Sequence, residues 1–409
     1  MAAIWFSLAT ISSFTKLLLL MLCICGIGYY CFAIYSTLTF RRQAIPEKSG
    51  FCPPVSILKP LCGVEPTTYQ NLASFCRQDY PEYQIIFAVR NLADPSIKVV
   101  EQLLADLPNV DIELALGDRA VGTNPKVNNL INAVQFAKHD ILFIADSDIL
   151  VEPNYLKSVV QPFQEPSVGV VTCLYRSLAK GCAASLEAIA IATNLISNVL
   201  AARQLREINF ALGATIAIRR SVLDEIGGFQ SVVDYLADDY QLGYLPTQTG
   251  YRVSLSRYVV THVLSATTMR DSFLRQTRWN QAIRASDPAG YVGLIFTHGF
   301  VLSLGFLYIT GGSWQGWLLA ALALGCKLFL AWIVGIDLLE DSATQKGWWL
   351  LPICDCISFG LWCAGLVENT VIWRGQQFQV SAAGKLIAIS TQDYISSSNL
   401  PNWTETEES

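Results

Sequence analysis

The chain has 409 residues, of which 52% are hydrophobic and 15% are charged, and its mean hydropathy is +0.37. Average soluble proteins carry about 25% charged residues, so this composition excludes a fully soluble protein and places part of the chain in lipid. The net charge of −5 provides no basic excess for nucleic acid, which excludes that class of partner.

The twelve cysteines and three histidines narrow the kinds of site that this chain can contain. No two cysteines have the CxxC spacing of a zinc site, and so few histidines make a histidine-based metal centre unexpected. We expect reduced, buried thiols instead of a disulfide framework, because many cysteines lie in apolar runs: Cys23, Cys25, Cys326, Cys354, Cys356 and Cys363.

The first predicted element is an apolar helix at residues 17–40, which is long enough for a bilayer, since a crossing takes about 20 residues. A cleaved signal peptide is the alternative. The run exceeds the apolar core of such a peptide, roughly 7–15 residues, and no small-x-small cleavage site follows. Arg41 and Arg42 come next, which predicts a cytoplasmic end here and an external N-terminus.

Residues from about 45 to 285 have the composition of a soluble α/β domain. Hydrophobic patterning predicts helices at 67–77, 97–107 and 126–138, and strands at 55–58, 84–89, 110–116, 168–174, 214–219 and 252–263. Strands that alternate with helices indicate a mostly parallel sheet. A nearly uncharged helix at 183–201, with Glu187 as its only acid, either lies on the membrane surface or packs inside the protein.

The centre of this domain is a strand at 141–145 whose five apolar residues run directly into Asp146 and Asp148. A continuous apolar run is typical of a fully buried strand in a parallel sheet. Open α/β sheets bind their ligands at the carboxyl ends of such strands. Two carboxylates at this spacing can hold a divalent cation that grips a diphosphate. A polar turn after the strand is the alternative.

After Pro288 the chain becomes apolar again, and three further membrane spans are predicted at 291–310, 316–336 and 348–373. The basic residues before the first of them predict a cytoplasmic start. Three crossings then place residues 376–409 outside, as a poorly ordered tail. Lys327 lies near the middle of the second span, where a charge is costly. Asp355 in the next span is its natural partner, and a lysine that snorkels alone is the alternative.

Several short motifs stand in a fixed order along the domain. They are Lys59-Pro60-Leu61 with Gly63 and Glu65, Asp94, Asn124-Pro125-Lys126 with Asn128 and Asn129, Asp146-Ser147-Asp148, Asp238-Asp239-Tyr240, and Arg275-x-x-Arg278-Trp279. The ordered set resembles the ceramide glucosyltransferase family, glycosyltransferase family 21, a membrane branch of the inverting GT-A glycosyltransferases. The resemblance covers roughly residues 50–290 and the flanking spans. Residues 170–175 and 236–240 also resemble the bacterial hopanoid-linked members.

The resemblance implies an α/β fold, a Rossmann-like GT-A nucleotide-diphospho-sugar transferase domain with flanking transmembrane helices. It divides the chain into a membrane anchor at 1–42, a cytoplasmic catalytic domain at 43–287, three membrane helices at 288–375 and a tail at 376–409. The protein is then an integral, multi-pass membrane protein whose catalytic domain faces the cytoplasm.

The family pattern also implies a role for each acid. Asp94 matches the aspartate that contacts the donor uridine, and a turn aspartate before Pro95 is its alternative. Asp146 and Asp148 match the pair that binds Mg²⁺ or Mn²⁺, with Asp146 also on the substrate. Some eukaryotic members have glycine at the second position. Asp239 matches the general base that takes the acceptor proton. Asp238 either orients the acceptor or caps a helix.

Three residues of the last motif, Arg275, Arg278 and Trp279, are implied to complete the catalytic site. Arginines pair well with phosphate oxygens, and Trp279 can form one wall. Anchoring at the membrane interface is the alternative, because Arg and Trp are enriched there. Lys126 either approaches the diphosphate or is an ordinary solvated helix lysine.

The implied reaction is a single in-line displacement, in which an acceptor hydroxyl attacks the anomeric carbon of a UDP-sugar and UDP leaves. It predicts an inverting hexosyltransferase with a membrane-lipid acceptor, most like transfer from UDP-glucose to ceramide. Transfer of N-acetylglucosamine to bacteriohopanetetrol is an alternative within the family. A processive polysaccharide synthase would need a pore and usually more spans. A membrane scaffold with a decayed transferase domain is the non-enzymatic alternative.

Overall fold

The computed structural model describes residues 2–43, 50–117, 119–265, 268–373 and 376–389, with the backbone alone at 2–12. Its centre is one eight-stranded sheet in the order β3-β2-β1-β4-β7-β6-β8-β5. The strands are β1 (Val55–Pro60), β2 (Tyr83–Val89), β3 (Asp111–Leu116), β4 (Ile141–Ile144), β5 (Ile149–Leu150), β6 (Val168–Ala179), β7 (Ile216–Arg219) and β8 (Arg252–Leu264).

The sheet is parallel in its first half and mixed in its second. Strands β3, β2, β1 and β4 run parallel to their neighbours, as the alternation of strands and helices predicts. Strand β7 is antiparallel to both β4 and β6, whereas β6 and β8 are parallel. All four residues of β4 are buried, with Ile141 and Phe143 in one core and Leu142 and Ile144 in the other. Burial on both faces explains the uninterrupted apolar run.

Ten helices accompany the sheet or precede it. They are α1 (Ala2–Arg42), α2 (Thr68–Cys76), α3 (Ser96–Asp106), α4 (Pro125–Ala133), α5 (Tyr155–Val159), α6 (Cys182–Ala190), α7 (Ser197–Leu205), α8 (Arg220–Glu225), α9 (Asp238–Gln248) and α10 (Met269–Ser286). A π-helical segment at Ile191–Ile196 joins α6 to α7. This joined helix, 182–205, is apolar enough to cross a membrane, yet 67% of its apolar 18-residue stretch is buried inside the protein. It therefore packs inside, which answers the question that its sequence left open.

The remaining helices are α11 (Pro288–Gly293), α12 (Gly299–Ile309), α13 (Trp314–Ala331), α14 (Ser342–Gly347) and α15 (Leu351–Val367). Helix α13 continues as a π-helix to Leu338, 25 residues in all, or about 37 Å at 1.5 Å per residue. That length exceeds the roughly 30 Å of bilayer hydrocarbon. Tyr308 near the end of α12 and Trp314 and Trp317 at the start of α13 are exposed, as expected of side chains at a membrane interface.

The end of the chain differs from the predicted third span and external tail. Helix α15 stops at Val367, and β9 (Thr370–Trp373), β10 (Gln376–Val380) and β11 (Leu386–Ala388) form a separate antiparallel sheet. The Leu236 N–H donates to the Gly384 carbonyl at 3.0 Å, and the Leu386 N–H donates to the Asp234 carbonyl at 2.7 Å. The described part of the tail therefore lies on the α/β domain; residues 390–409 are outside the described residues.

Both ends of the stretch 342–367 contact the α/β domain. At one end, the Asp341 carboxylate accepts from the Ser177 N–H of β6 at 3.2 Å. At the other, Arg284 of α10 donates to the carbonyls of Leu366 and Glu368 at 2.7 and 2.8 Å. The stretch 342–367 is long and apolar enough to cross a membrane. Its contacts with the domain at both ends nevertheless predict two crossings after the domain, by α12 and α13, in place of three.

The predicted pair between Lys327 and Asp355 is confirmed. Lys327 Nζ lies 3.0 Å from Asp355 Oδ1, and the two side chains are 2% and 1% exposed. Lys327 also donates to Asn194 Oδ1 at 2.5 Å, and Asn194 donates to Ser358 Oγ at 3.1 Å. This polar cluster joins α13, α15 and the π-helical segment, so the buried ammonium has both a counter-charge and a neutral acceptor.

The revised topology predicts opposite locations for two fusion points. A reporter enzyme that is active only outside the cytoplasm should be active after Gly312, in the turn between α12 and α13, and inactive after Ser409. A fluorescent reporter that works only in the cytoplasm should give the reverse pattern. Activity of the first reporter at both points would show that the chain crosses the membrane a third time after the domain.

The buried pair predicts a double-mutant cycle. Lys327→Ala should lower the thermal stability of the protein in detergent, because it leaves a buried carboxylate without its counter-charge. Adding Asp355→Ala should recover part of that loss, with a coupling of roughly 0.5–3 kcal/mol. Purely additive losses would show that the pair contributes nothing to stability.

Candidate active site

The candidate site lies at one edge of the sheet. Strands β1, β2 and β4 are parallel. The end of β1, with Lys59, and the segments after β2 and β4, with Asp94, Asp146 and Asp148, therefore lie at the same edge. The N-terminus of α9 brings Asp239 to this edge as well, because its carboxylate accepts from the Gly213 N–H, just before β7, at 3.0 Å.

The buried Lys126 connects its own helix, α4, to the segment after β4 and to the start of α9. Lys126 Nζ lies 2.9 Å from Asp146 Oδ1 and 3.3 Å from Asp238 Oδ2. Its side chain is 16% exposed, so it is not a solvated helix lysine. Burial alone would lower the pKa of Lys126, but the adjacent Asp146 and Asp238 raise it above its usual value. The lysine thus stays charged and offsets the repulsion between two carboxylates.

The motif Asn124-Pro125-Lys126 forms the start of α4. Asn124 is its N-cap, and its side chain accepts from the N–H groups of Lys126 and Val127 at 2.9 and 3.2 Å. The same side chain donates to the Tyr235 carbonyl at 2.8 Å and to Asp238 Oδ1 at 3.3 Å. One asparagine therefore places both Lys126 and Asp238.

Asp239 is held by two backbone donors, the N–H groups of Gly213 and Tyr240, at 3.0 and 2.8 Å. A Cβ at position 213 would lie 3.1 Å from Asp239 Oδ2 and 3.3 Å from Asp146 Oδ2, closer than ordinary contact. Glycine therefore lets these two carboxylates converge. Burial, and then the charge of Asp238, raise the pKa of Asp239 to about 6, which suits a general base.

Asp146 and Asp148 have different surroundings. Asp148 Oδ2 lies 3.4 Å from His262 Nε2, and although burial opposes it, His262 and Lys59 bring the pKa of Asp148 to about 2. Burial raises the pKa of Asp146, against the effect of Lys126. Lys59 donates to the Asp146 carbonyl at 2.6 Å, and its ammonium lies 3.7 Å from the centroid of the Phe75 ring. Burial lowers the pKa of Lys59 to about 7.

Asp146 and Asp148 suit a hard cation in chemistry and in exposure. Their side chains are 38% and 37% exposed, so two carboxylates can reach a ligand, and Mg²⁺ or Mn²⁺ prefers oxygen. In the described part of the chain, no group of three or more His, Cys, Asp or Glu forms a complete cage. Any such cation would therefore take its other ligands from substrate and water.

The motif on α10 is spread along the helix. Arg275 forms two hydrogen bonds with Glu187, at 2.6 and 2.7 Å, and lines a cleft of about 250 Å³ together with Asp148 and His262. Arg278 lies over the Trp373 ring of β9, 5.0 Å from its centroid. Trp279 is half-buried and packs against the main core.

The structure thus brings Lys126, Asp146, Asp238 and Asp239 together and places Asp148 and Arg275 in the adjoining cleft. Asp94 accepts from the Gly63 N–H at 3.1 and 2.9 Å and from the Ser96 N–H at 2.9 Å. The Asp94 carboxylate therefore connects the turn after β2 to the turn after β1. Sequence analysis missed Gly213 and His262 and assigned no role to Glu187, although a lone acid in an uncharged helix was a visible signal.

The chain is similar in sequence to two ceramide glucosyltransferases. The chain is 26% identical to ceramide glucosyltransferase 1 of Caenorhabditis elegans over 374 residues, 86% of this chain and 76% of that protein. It is 36% identical to the ceramide glucosyltransferase of Komagataella phaffii over 133 residues, 31% of this chain and 25% of that one.

A mannosyltransferase from Pyrobaculum calidifontis, solved with GDP-Man and Mn²⁺, has a similar fold. The TM-score is 0.57 at 17% identity, and the match covers 87% of this chain and 98% of that one. This likeness confirms the predicted α/β fold of GT-A type. The family model described as glycosyl transferase family 21 matches residues 18–386. Because that match runs from the first membrane helix to the last strand, the chain belongs to glycosyl transferase family 21.

Proposed function

We propose that this protein transfers one hexose from a UDP-sugar to a hydroxyl of a membrane lipid, with inversion, most like transfer from UDP-glucose to ceramide. The observation that carries the proposal is the position of Asp239. Its carboxylate is fixed by the Gly213 N–H at 3.0 Å and has a pKa of about 6. It stands beside Asp146 at the sheet edge, on a domain that continues into membrane helices.

Asp239 acts as the general base. Its carboxylate accepts the proton of the acceptor hydroxyl while that oxygen attacks the anomeric carbon from the face opposite UDP. The bond from the anomeric carbon to the diphosphate oxygen breaks as the new glycosidic bond forms. One displacement inverts the anomeric centre, so an α-linked donor gives a β-glycoside. Asp238 is paired with Lys126. Its negative charge raises the pKa of Asp239, which makes Asp239 a stronger base.

The donor lies on the other side of Asp146. Asp94, in the turn that follows β2, faces the uridine. Arg275 faces the diphosphate from the cleft, since guanidinium groups pair well with phosphate oxygens. A divalent cation held by Asp146 and Asp148 would offset the charge that develops on the diphosphate. The Pyrobaculum mannosyltransferase was solved with GDP-Man and Mn²⁺, which supports a nucleotide-sugar donor and a metal here.

The acceptor approaches from the membrane. Helix α10 carries the arginine motif and packs along α15, so the site stands directly above the apolar helices. The curated relatives are named ceramide glucosyltransferases, which supports a lipid hydroxyl as the acceptor. Two crossings after the domain favour transfer of a single sugar over a processive synthase with its own pore.

The proposal is tested with purified protein in detergent, UDP-glucose or UDP-N-acetylglucosamine, and ceramide, bacteriohopanetetrol or diacylglycerol. We expect glucose on ceramide, in a β linkage by NMR, and loss of transfer when a chelator removes Mn²⁺ or Mg²⁺. A polymer, an α-linked product or chelator-resistant transfer would contradict the corresponding part of the proposal.

Asp239→Asn should lower transfer by about 10²–10⁴-fold, the usual loss for a general base, while UDP binding by calorimetry stays close to that of the unchanged protein. Because the pKa of Asp239 is raised to about 6, transfer by the unchanged protein should fall as the pH drops below about 6 and the base is protonated. Asp224→Asn, which changes an exposed acid on α8, is the control. A large loss of UDP affinity in Asp239→Asn would place the residue on the donor side.

A further inference from the structure

The only acid of helix α6 is tied to the arginine motif of α10. Arg275 donates from Nε to Glu187 Oε1 at 2.6 Å and from Nη2 to Oε2 at 2.7 Å. The Ser272 hydroxyl donates to the same Oε2 at 2.6 Å. Glu187 therefore accepts three short hydrogen bonds from two residues that lie one turn apart on α10.

The two members of this ion pair differ in exposure. Glu187 is fully buried, whereas the Arg275 side chain is 29% exposed and lines the cleft that contains Asp148 and His262. Here the carboxylate is enclosed beneath the site and the guanidinium reaches into it.

The two hydrogen bonds to Glu187 also determine which edge of the Arg275 guanidinium remains available to a ligand. Glu187 occupies the edge formed by Nε and Nη2. The other edge, formed by Nη1 and Nη2, points away from Glu187 and can donate two parallel hydrogen bonds. Two phosphate oxygens match that planar edge.

Glu187 also limits the alternatives open to Arg275. The other carboxylates that act on this guanidinium are Asp148 and Glu65, and both line the cleft. Without Glu187, the Arg275 guanidinium would be free to pair with Asp148 or Glu65, the acids on the donor side of the site. The ion pair with Glu187 keeps Arg275 away from these two carboxylates.

We infer that Glu187 is a positioning residue for the donor diphosphate, acting through Arg275. This inference rests on the proposed function, because it assumes that a nucleotide diphosphate occupies the cleft. It gives helix α6, which packs between the sheet and the membrane helices, a part in donor binding. Glu187 itself does not touch the substrate.

The test uses the full-length protein with Glu187→Gln, Arg275→Gln and the double variant. Glu187→Gln should raise KM for UDP-glucose and weaken UDP binding by about tenfold, within the range known for coupled contacting residues, with a smaller change in kcat. The double variant should be no worse than Arg275→Gln alone, because the two residues act as one unit. Equal KM and UDP affinity in Glu187→Gln and the unchanged protein would overturn the inference.

Asp355→Asn is the matched control, since it also neutralises a buried acid and breaks an ion pair, with Lys327, away from the cleft. It should lower thermal stability and leave KM for UDP-glucose unchanged. If both variants change KM alike, the effect of Glu187 is structural and the inference fails. If the unchanged protein neither binds UDP nor transfers sugar, the proposed function fails first, and UDP binding without transfer still allows Glu187 to be judged.

Discussion

The candidate active site depends on Lys126, the cation that lies between Asp146 and Asp238 at 2.9 and 3.3 Å. Asp239 and Asp148 stand close by, so several carboxylates crowd one end of a sheet. Like charges at such distances disfavour ionisation of each other. A single buried ammonium lets Asp146 and Asp238 remain near each other, while Asp239, which it does not contact directly, keeps the raised pKa that a base needs.

The same rule operates between the domain and the membrane helices. Glu187 is enclosed beside the partly exposed Arg275, and Lys327 and Asp355 are both buried, so each enclosed charge has an oppositely charged partner. Removing that partner leaves a buried charge uncompensated and is destabilising. Such pairs therefore fix how helices meet. Because α6 contributes to one pair and its π-helical continuation contacts Lys327, a single helix links the catalytic edge to the core of the membrane bundle.

Much of the fold could be predicted because its signals are local. The apolar run at 141–145 and the acids after it predicted a buried strand and a site at its end, and β4 and Asp146 match. The long-range contacts carry no such signal. The residues around Glu187 in the sequence do not indicate its contact with Arg275, and those around His262 do not indicate its contact with Asp148. The strands β9 to β11 were missed because short strands at the end of a chain resemble a polar tail.

The external tail was predicted by counting apolar runs as membrane crossings, without knowing where the helix that follows each run ends. Hydropathy reports whether a helix can lie in lipid, and 342–367 qualifies. It does not report where the helix ends. Strand β11 pairs its Leu386 N–H with Asp234, four residues before Asp238, so the chain must return to the side from which α12 left. This contact predicts an even number of crossings after the domain. The segment that carries Asp239, the proposed base, is held between α4 and the end of the chain, so the C-terminal sheet packs beside the candidate site.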